Sequence, residues 1–332
     1  MNRGRILKVG RVRIGTILVT LSIVIAACSS PATPSASSPG TGASSGPVAG
    51  DPATDKLAQI LDRGTLVGYT DTGYPPQSMA VDGAVRLADT KCAPNQMTAP
   101  EIVGYDADTL KLVAEALDVE ACFVTPTWTE VTAGHWGNRW DIVYGSGSIN
   151  ADRMTRLWMT QPYYGVPNHY YVRDDSPYQT AADLSGKEIG ACASCSHEYY
   201  LKGELEIPGT DIVLDVKDPQ IVSYEAEPPG LQAVADGDIA AFLAAAPVGQ
   251  QAIDQGLKLR AIEKPAFTYY PSGFVDKSSG LDSKAFVERV NEIIRGLHAD
   301  GTLKAKSIEY FGVDYARAGG DFGLDATGQV VP

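Results

Sequence analysis

Arg153 is distinguished by its neighbours. It ends the run Gly145-Ser-Gly-Ser-Ile-Asn-Ala-Asp-Arg153, which is rich in small polar residues, and precedes an aromatic cluster that closes on Pro162-Tyr163-Tyr164. A guanidinium is always charged and presents a planar fork that fits a carboxylate through two parallel hydrogen bonds, so the chemistry on offer is recognition of a small anion. A second pattern is Cys192-Ala-Ser-Cys195, whose residue types suit a structural disulfide, a redox motif or half of a zinc site. Zinc requires further ligands, and His135, His169, His197 and His298 are scattered without metal-ligand spacing, so no metal ligand is assigned. Neither a Gly-x-Ser-x-Gly elbow nor a His-Glu-x-x-His helix occurs, and no catalytic pair of carboxylates is evident. No catalytic residue and no cofactor is therefore expected.

Elements that could position these residues alternate along the chain. Asp55 to Gly64 reads as a helix with an Asp cap and a Gly stop, followed by a strand at 65–69. Residues 107–118 place Leu110, Val113, Ala114 and Leu117 on one helical face; 121–125 and 140–144 read as strands. Further strands are expected at 187–191, 212–216, 239–244 and 257–262, with helices at 229–235 and 248–255. A last helix carries the stripe Phe286, Val287, Val290, Ile293, Ile294 and Leu297 and stops near Gly301. Short apolar runs alternating with helix-period segments argue for an α/β fold of parallel βαβ layers, and about 270 residues exceed one comfortable core, so two lobes are expected.

The ends say where such a body would work. Arg3, Arg5, Lys8, Arg11 and Arg13 precede an apolar run from residue 14 to 27, shorter than the roughly 20 residues that span a bilayer and ordered like an export signal. The run ends Ile25-Ala26-Ala27-Cys28, which resembles a bacterial lipobox and implies lipidation of Cys28. Residues 29–50 carry no charge and one sizeable apolar side chain, Val48, so they read as a flexible tether of roughly 25 Å reach. The expected layout is a signal peptide (1–27), a linker (28–50) and a body held at the outer face of the cytoplasmic membrane. Removing the five basic residues of the signal takes the formal net charge from -13 to -18. Nothing basic remains clustered to neutralise phosphates, so nucleic acid is excluded as a partner. Cys92, Cys122, Cys192 and Cys195 are an even number for an oxidising compartment; Cys92–Cys122 and Cys192–Cys195 are expected, although four cysteines permit three pairings.

Leu-x-x-Gly-x-Leu-Val-Gly (61–68), Asp71-x-x-Tyr74-x-Pro76, Gly104-Tyr-Asp106, Trp128, Trp140-Asp141, Gly145-Ser-Gly-Ser148, Arg153, Pro162-Tyr-Tyr164 and Asp183-Leu-Ser-Gly-Lys187 follow one another in order. Together they resemble the extracellular solute-binding proteins of polar amino acid ABC importers, family 3, over about 55 to 315. The resemblance implies a type II periplasmic-binding-protein-like fold. Each lobe is then a mostly parallel sheet flanked by helices, with two crossing hinge strands near 164–172 and 265–271. Lobe 1 would be discontinuous (51–167 and 269–320), lobe 2 would span 168–268, and 321–332 would be a tail.

The same resemblance implies a ligand site. Arg153 would grip a ligand α-carboxylate, helped by the Ser148 hydroxyl, while the backbone of Gly145 and Ser146 faces an ammonium. Ser194, Cys195 and Ser196, in a loop entering a helix, would cap the carboxylate from lobe 2. Asp71 would face the amino group, and Tyr74 and Trp128 would wall the pocket, where an aromatic face can hold a cation. The usual lobe-two acid is missing, Ala245 standing in its place. Either Glu227 supplies a carboxylate or the ligand is not a plain α-amino acid, because a buried ammonium with one partner is poorly compensated. The implied role is a non-enzymatic lipoprotein that delivers a carboxylate-bearing solute to an ABC permease and its ATPase. A transporter-free sensor module and an exported dehydratase on the same fold are the alternatives.

Overall fold

The computed structural model describes residues 50–324. The expected signal peptide, Cys28, the tether up to residue 49 and residues 325–332 lie outside them. No helix among the described residues is long and apolar enough to cross a membrane.

Strands of the described residues form two large sheets. In the first, Thr65–Tyr69 runs parallel to Glu120–Val124 on one side and to Ile142–Val143 on the other. Phe274–Asp276 then pairs antiparallel with both Ile142–Val143 and Leu157–Met159, and Met97–Thr98 closes the far edge against Glu120–Val124. In the second, Glu188–Cys192 is parallel to Gln220–Tyr224 and to Ala241–Ala245. Val166–Arg173 runs antiparallel to Ala241–Ala245, Leu259–Ala261 and Phe267–Tyr269. The expected parallel layers are thus the centres of two mixed sheets, and the strands around the two crossings supply the antiparallel flanks. The first sheet recovers Phe274–Asp276 only after the chain has built the second, which makes the first lobe discontinuous in sequence.

Helices cover the sheets where their apolar faces predict. Asp55 caps Lys56–Arg63 by accepting from the Ala58 N–H at 2.7 Å, and Gly64 ends that helix in the left-handed conformation at φ 69°. Lys56 is fully buried, pairs with Asp141 at 3.0 Å and donates to Asn138 at 2.8 Å. Asp141 also binds Arg63 and the Val67 N–H, so one carboxylate locks the first helix onto the first sheet. Lys284–Ala299 buries Phe286, Val287, Val290, Ile293 and Ile294, a stripe worth about 1.5–3 kcal/mol per side chain removed from water.

Two boundaries differ from expectation. Residues 212–216 form no strand; the edge of the second sheet is Gln220–Tyr224. Val216 is buried, but Val213 faces solvent, and the Asp215 carboxylate accepts from Tyr200 and Tyr170 hydroxyls. The segment is therefore anchored by side chains, and its apolar alternation imitates a strand. The passages between sheets lie at 160–165 and 270–273, not 164–172 and 265–271, because all of Val166–Arg173 and Phe267–Tyr269 is paired within the second sheet. There the two segments bind each other: Thr160 N–H donates to Gly273 O at 2.9 Å and Tyr163 N–H to Pro271 O at 3.1 Å. The start of the expected tail is fixed, its Phe322 carbonyl accepting from Gln161 Nε2 at 2.9 Å.

Candidate functional site

Between the two sheets lies a cavity. From the first lobe, Asp71, Tyr74, Trp128, Gly145, Ser146, Ser148 and Arg153 line it; from the second come Cys192, Cys195, Ser196, His197, Glu225, Ala226, Glu227 and Tyr269. Every residue expected at the site except Ser194 lines this space, and Ser194 reaches Arg153 through its carbonyl.

Arg153 is placed by a four-residue helix, Ala151–Met154, whose cap Asn150 accepts from the Arg153 N–H at 2.8 Å. Its side chain is 1% exposed. Nη1 donates to Ser148 O at 2.9 Å and Nη2 to Ser194 O at 2.8 Å across the cavity; Nε has no partner among the described residues. The guanidinium lies over the rings of Trp128 at 5.2 Å and Phe274 at 5.7 Å. Trp128 thus holds a cation, and that cation is the protein's own Arg153. Burial pushes the guanidinium pKa down to about 10, which leaves it charged at neutral pH. Neighbouring Asp152 pairs with Arg156 instead. A buried charge satisfied by two neutral carbonyls and two aromatic faces is under-compensated, and a carboxylate would complete it.

The loop before Arg153 is held rigidly. A Cβ on Gly147 would stand 2.3 Å from the Phe274 ring, so only glycine fits. Ser146 adopts φ 57°, and its hydroxyl binds Asp106 Oδ2 at 2.6 Å and Tyr164 OH at 2.7 Å, while its N–H donates to Tyr163 OH. Asp106 also accepts from Tyr163 at 2.7 Å; burial pushes its carboxyl up to about 7 against the pull of these hydroxyls. The Ser148 hydroxyl is committed as well: it donates to Ile149 O and accepts from the Tyr270 N–H at 3.0 Å. Its carbonyl, not its hydroxyl, touches Arg153.

Across the cavity, Cys192 and Cys195 form a disulfide, as do Cys92 and Cys122. Within the small loop Ser194 is left-handed at φ 59° and donates its N–H to Glu198 Oε2 at 2.8 Å, while the Cys195 N–H binds Cys192 O. Loop N–H groups expected to meet an anion are thus partly occupied, and the following helix, Ser196–Leu201, is only six residues long. Ser196 Oγ is buried without a partner among the described residues.

The acid absent at Ala245 arrives from another element. Glu227 opens the helix Glu227–Asp236, is 3% exposed, and accepts from the Ala245 N–H at 3.1 Å and from Tyr74 OH at 2.7 Å. Its carboxylate therefore sits beside the position where the side chain was missed, and it ties the second lobe to the first. Burial pushes it up to about 7, with the two hydrogen bonds opposing. His197 Nδ1 lies 3.6 Å from Glu227 Oε1. His197 Nε2 is 2.7 Å from Asn168 Oδ1, and Asn168 Nδ2 donates to Val166 O, so the network puts the imidazole proton on Nε2 and turns a lone pair on Nδ1 into the cavity. Burial, then Arg153, drives His197 down to about 3, so the contact with Glu227 is not an ion pair at neutral pH.

Cys192, His197, Glu225, Ala226 and Tyr269 were not expected at the site. For His197 the signal was its distance of two residues from Cys195, which the search for longer metal spacings passes over; Glu225 and Tyr269 carry none.

Comparison with known proteins agrees with this architecture. The sequence profile of bacterial extracellular solute-binding proteins, family 3, matches residues 87–313. The L-cystine-binding protein TcyJ of Escherichia coli (strain K12) is 24% identical over 263 residues, covering 79% of this chain and 88% of that protein. The ABC transporter arginine-binding protein 1 of the same organism is 24% identical over 214 residues, 64% of this chain and 82% of its own. Among solved structures, the ancestral amino acid-binding protein AncCDT-1, a precursor of cyclohexadienyl dehydratase, superposes with a TM-score of 0.61 at 20% identity, covering 77% of this chain and 99% of its own.

Proposed function

The chain belongs to the bacterial extracellular solute-binding proteins, family 3, and from that premise we propose that it captures an amino acid or close relative between its lobes and passes it to an ABC importer. The observation that carries this reading is the opposition of two buried groups across one cavity. Arg153 is a charged guanidinium whose terminal nitrogens bind only neutral carbonyls, and Glu227 is a carboxyl group held among Tyr74, Ala245 and His197. A zwitterion satisfies both ends, its carboxylate replacing Ser194 O on the guanidinium and its ammonium lying between Glu227 and the His197 lone pair. Asp71 and the Ser146 carbonyl flank the ammonium end, and Tyr74 and Trp128 wall the middle.

Closure then draws its free energy from contacts made to both lobes at once. The lobes are residues 51–167 with 269–320, and 168–268. No chemistry is required of the protein; the importer's permease and ATPase are its partners, and the lipid on Cys28 anchors it at the outer membrane face. The test is a thermal-shift screen of amino acids, small carboxylates and amines, since a ligand that binds only the folded state raises its melting temperature. A zwitterionic compound is expected to stabilise the protein, and its carboxylate-free and amine-free analogues to fail. Turnover of the bound compound, or stabilisation by amines alone, would overturn the reading.

A further inference from the structure

We propose that, once its disulfide is reduced, the cavity wall is a soft-metal site in which Cys192, Cys195, His197 and Glu227 bind one zinc-class divalent cation. The sulfurs of Cys192 and Cys195 and Nδ1 of His197 lie within 4.8 Å of one another. Cys192 Sγ is 3.5 Å from His197 Nδ1, and His197 Nδ1 is 3.6 Å from Glu227 Oε1. Metal–sulfur and metal–nitrogen bonds of about 2.3 and 2.0 Å at tetrahedral angles separate the two donors by about 3.5 Å. Two edges of a tetrahedron are therefore already near their required length, and the sulfur pair has only to part from its bond.

The orientation of the imidazole supports the same assignment. Asn168 Oδ1 accepts from Nε2 at 2.7 Å and is itself fixed by Asn168 Nδ2 donating to Val166 O. A ring nitrogen held by an outer partner while the other presents its lone pair to thiolates is the arrangement that metal-binding histidines use. Two thiolates, one neutral imidazole and one carboxylate make a donor set that favours zinc, cadmium or cobalt over magnesium or calcium.

The reaction balances with a thiol as reductant. Two RSH molecules deliver two electrons and two protons to the Cys192–Cys195 bond, giving two cysteine thiols and RSSR; the entering cation then displaces the two thiol protons to solvent. In the oxidised protein both sulfurs are spent on each other and the site does not exist. Oxidation state thus selects between a solute cavity and a metal site, because Glu227 cannot serve an ammonium and a metal together.

Titration of the whole chain with Co2+, before and after thiol reduction, tests this. Reduced protein is expected to take up one Co2+ per chain with thiolate-to-cobalt charge-transfer absorption and the visible bands of tetrahedral cobalt, displaced by Zn2+, and oxidised protein to give neither. The double variant C192S/C195S retains Cys28, Cys92 and Cys122, so it reports whether other thiols are responsible; it is expected to lose the spectrum. Asn168→Ala, which removes only the outer partner of His197, is expected to weaken Co2+ binding roughly 10–100-fold. A silent reduced protein, an unchanged spectrum in the double variant, or unchanged affinity in Asn168→Ala would each overturn the assignment. None of these outcomes depends on which solute the oxidised protein binds.

Discussion

The two ends of the cavity carry opposite charges and are built in opposite ways. Arg153 is set by its own stretch of chain, through the Asn150 cap and the carbonyl of Ser148, and meets the far lobe only at Ser194 O. Glu227 is set by three distant elements, Tyr74, Ala245 and His197. Burial lowers the guanidinium pKa to about 10, whereas it raises the carboxyl to about 7. One end is therefore permanently charged at physiological pH, and the other is poised to gain or lose its proton there. The carboxylate end gives constant attraction, and the ammonium end gives a response to pH.

Removing the permanent charge has the largest expected effect. Arg153→Ala should lower affinity for a carboxylate-bearing solute by about 2–5 kcal/mol, more than thirtyfold, measured by calorimetry. Arg153→Lys should restore little of it, because an ammonium lacks the fork. A variant that binds as tightly as the parent would remove Arg153 from the site.

Glu227→Gln addresses the other end by pH. Its folded-state pKa, about 7, lies above the ordinary 4.5, so the native carboxyl keeps its proton where the unfolded chain has released it. Its stabilising contribution is full below about 4.5 and is lost as pH rises to about 7. Relative to Glu227→Gln, the parent should lose up to about 3 kcal/mol of stability over that window and none above it, in urea melts at stepped pH. His197 runs the other way: held down to about 3, it adds stability as pH rises from 3 to 6.5. Only the difference between parent and variant isolates the acid.

The same substitution should reduce affinity for an ammonium-bearing solute by about 1.5–3 kcal/mol at pH 8. It should also abolish the gain in affinity that the parent shows between pH 6 and 8, and parallel pH profiles would refute an ionised Glu227 as the ammonium's partner. Smallest is Tyr74→Phe, which deletes the 2.7 Å bond to Glu227; it should cost about 1 kcal/mol of stability at pH 6.

Arg153 was legible because its signal is local: a small-residue run, an Asn cap and a buried cation all lie within nine residues. The stripe from Phe286 to Leu297 was legible because helical periodicity needs no knowledge of what it packs against. Glu227 could be raised only as one alternative, since nothing in Glu-Pro-Pro-Gly says that the helix start points at Ala245 N–H and Tyr74. The strand expected at 212–216 failed for a related reason: alternation cannot distinguish a paired backbone from one pinned by Asp215 to two tyrosines. The Ser148 hydroxyl was read as a ligand group, but its partner Tyr270 is 122 residues away on the second crossing.

Arg153 to Ser194 O and Tyr74 to Glu227 are bonds between the lobes themselves. Solute must wait for both to break before entering, and again before leaving. Lobe opening then sets a ceiling on exchange: the observed association rate levels off as solute concentration rises, and escape proceeds at a frequency fixed by the protein. Loosening either clasp accelerates loading and unloading together, so the dwell time of cargo is written partly in contacts the cargo never makes.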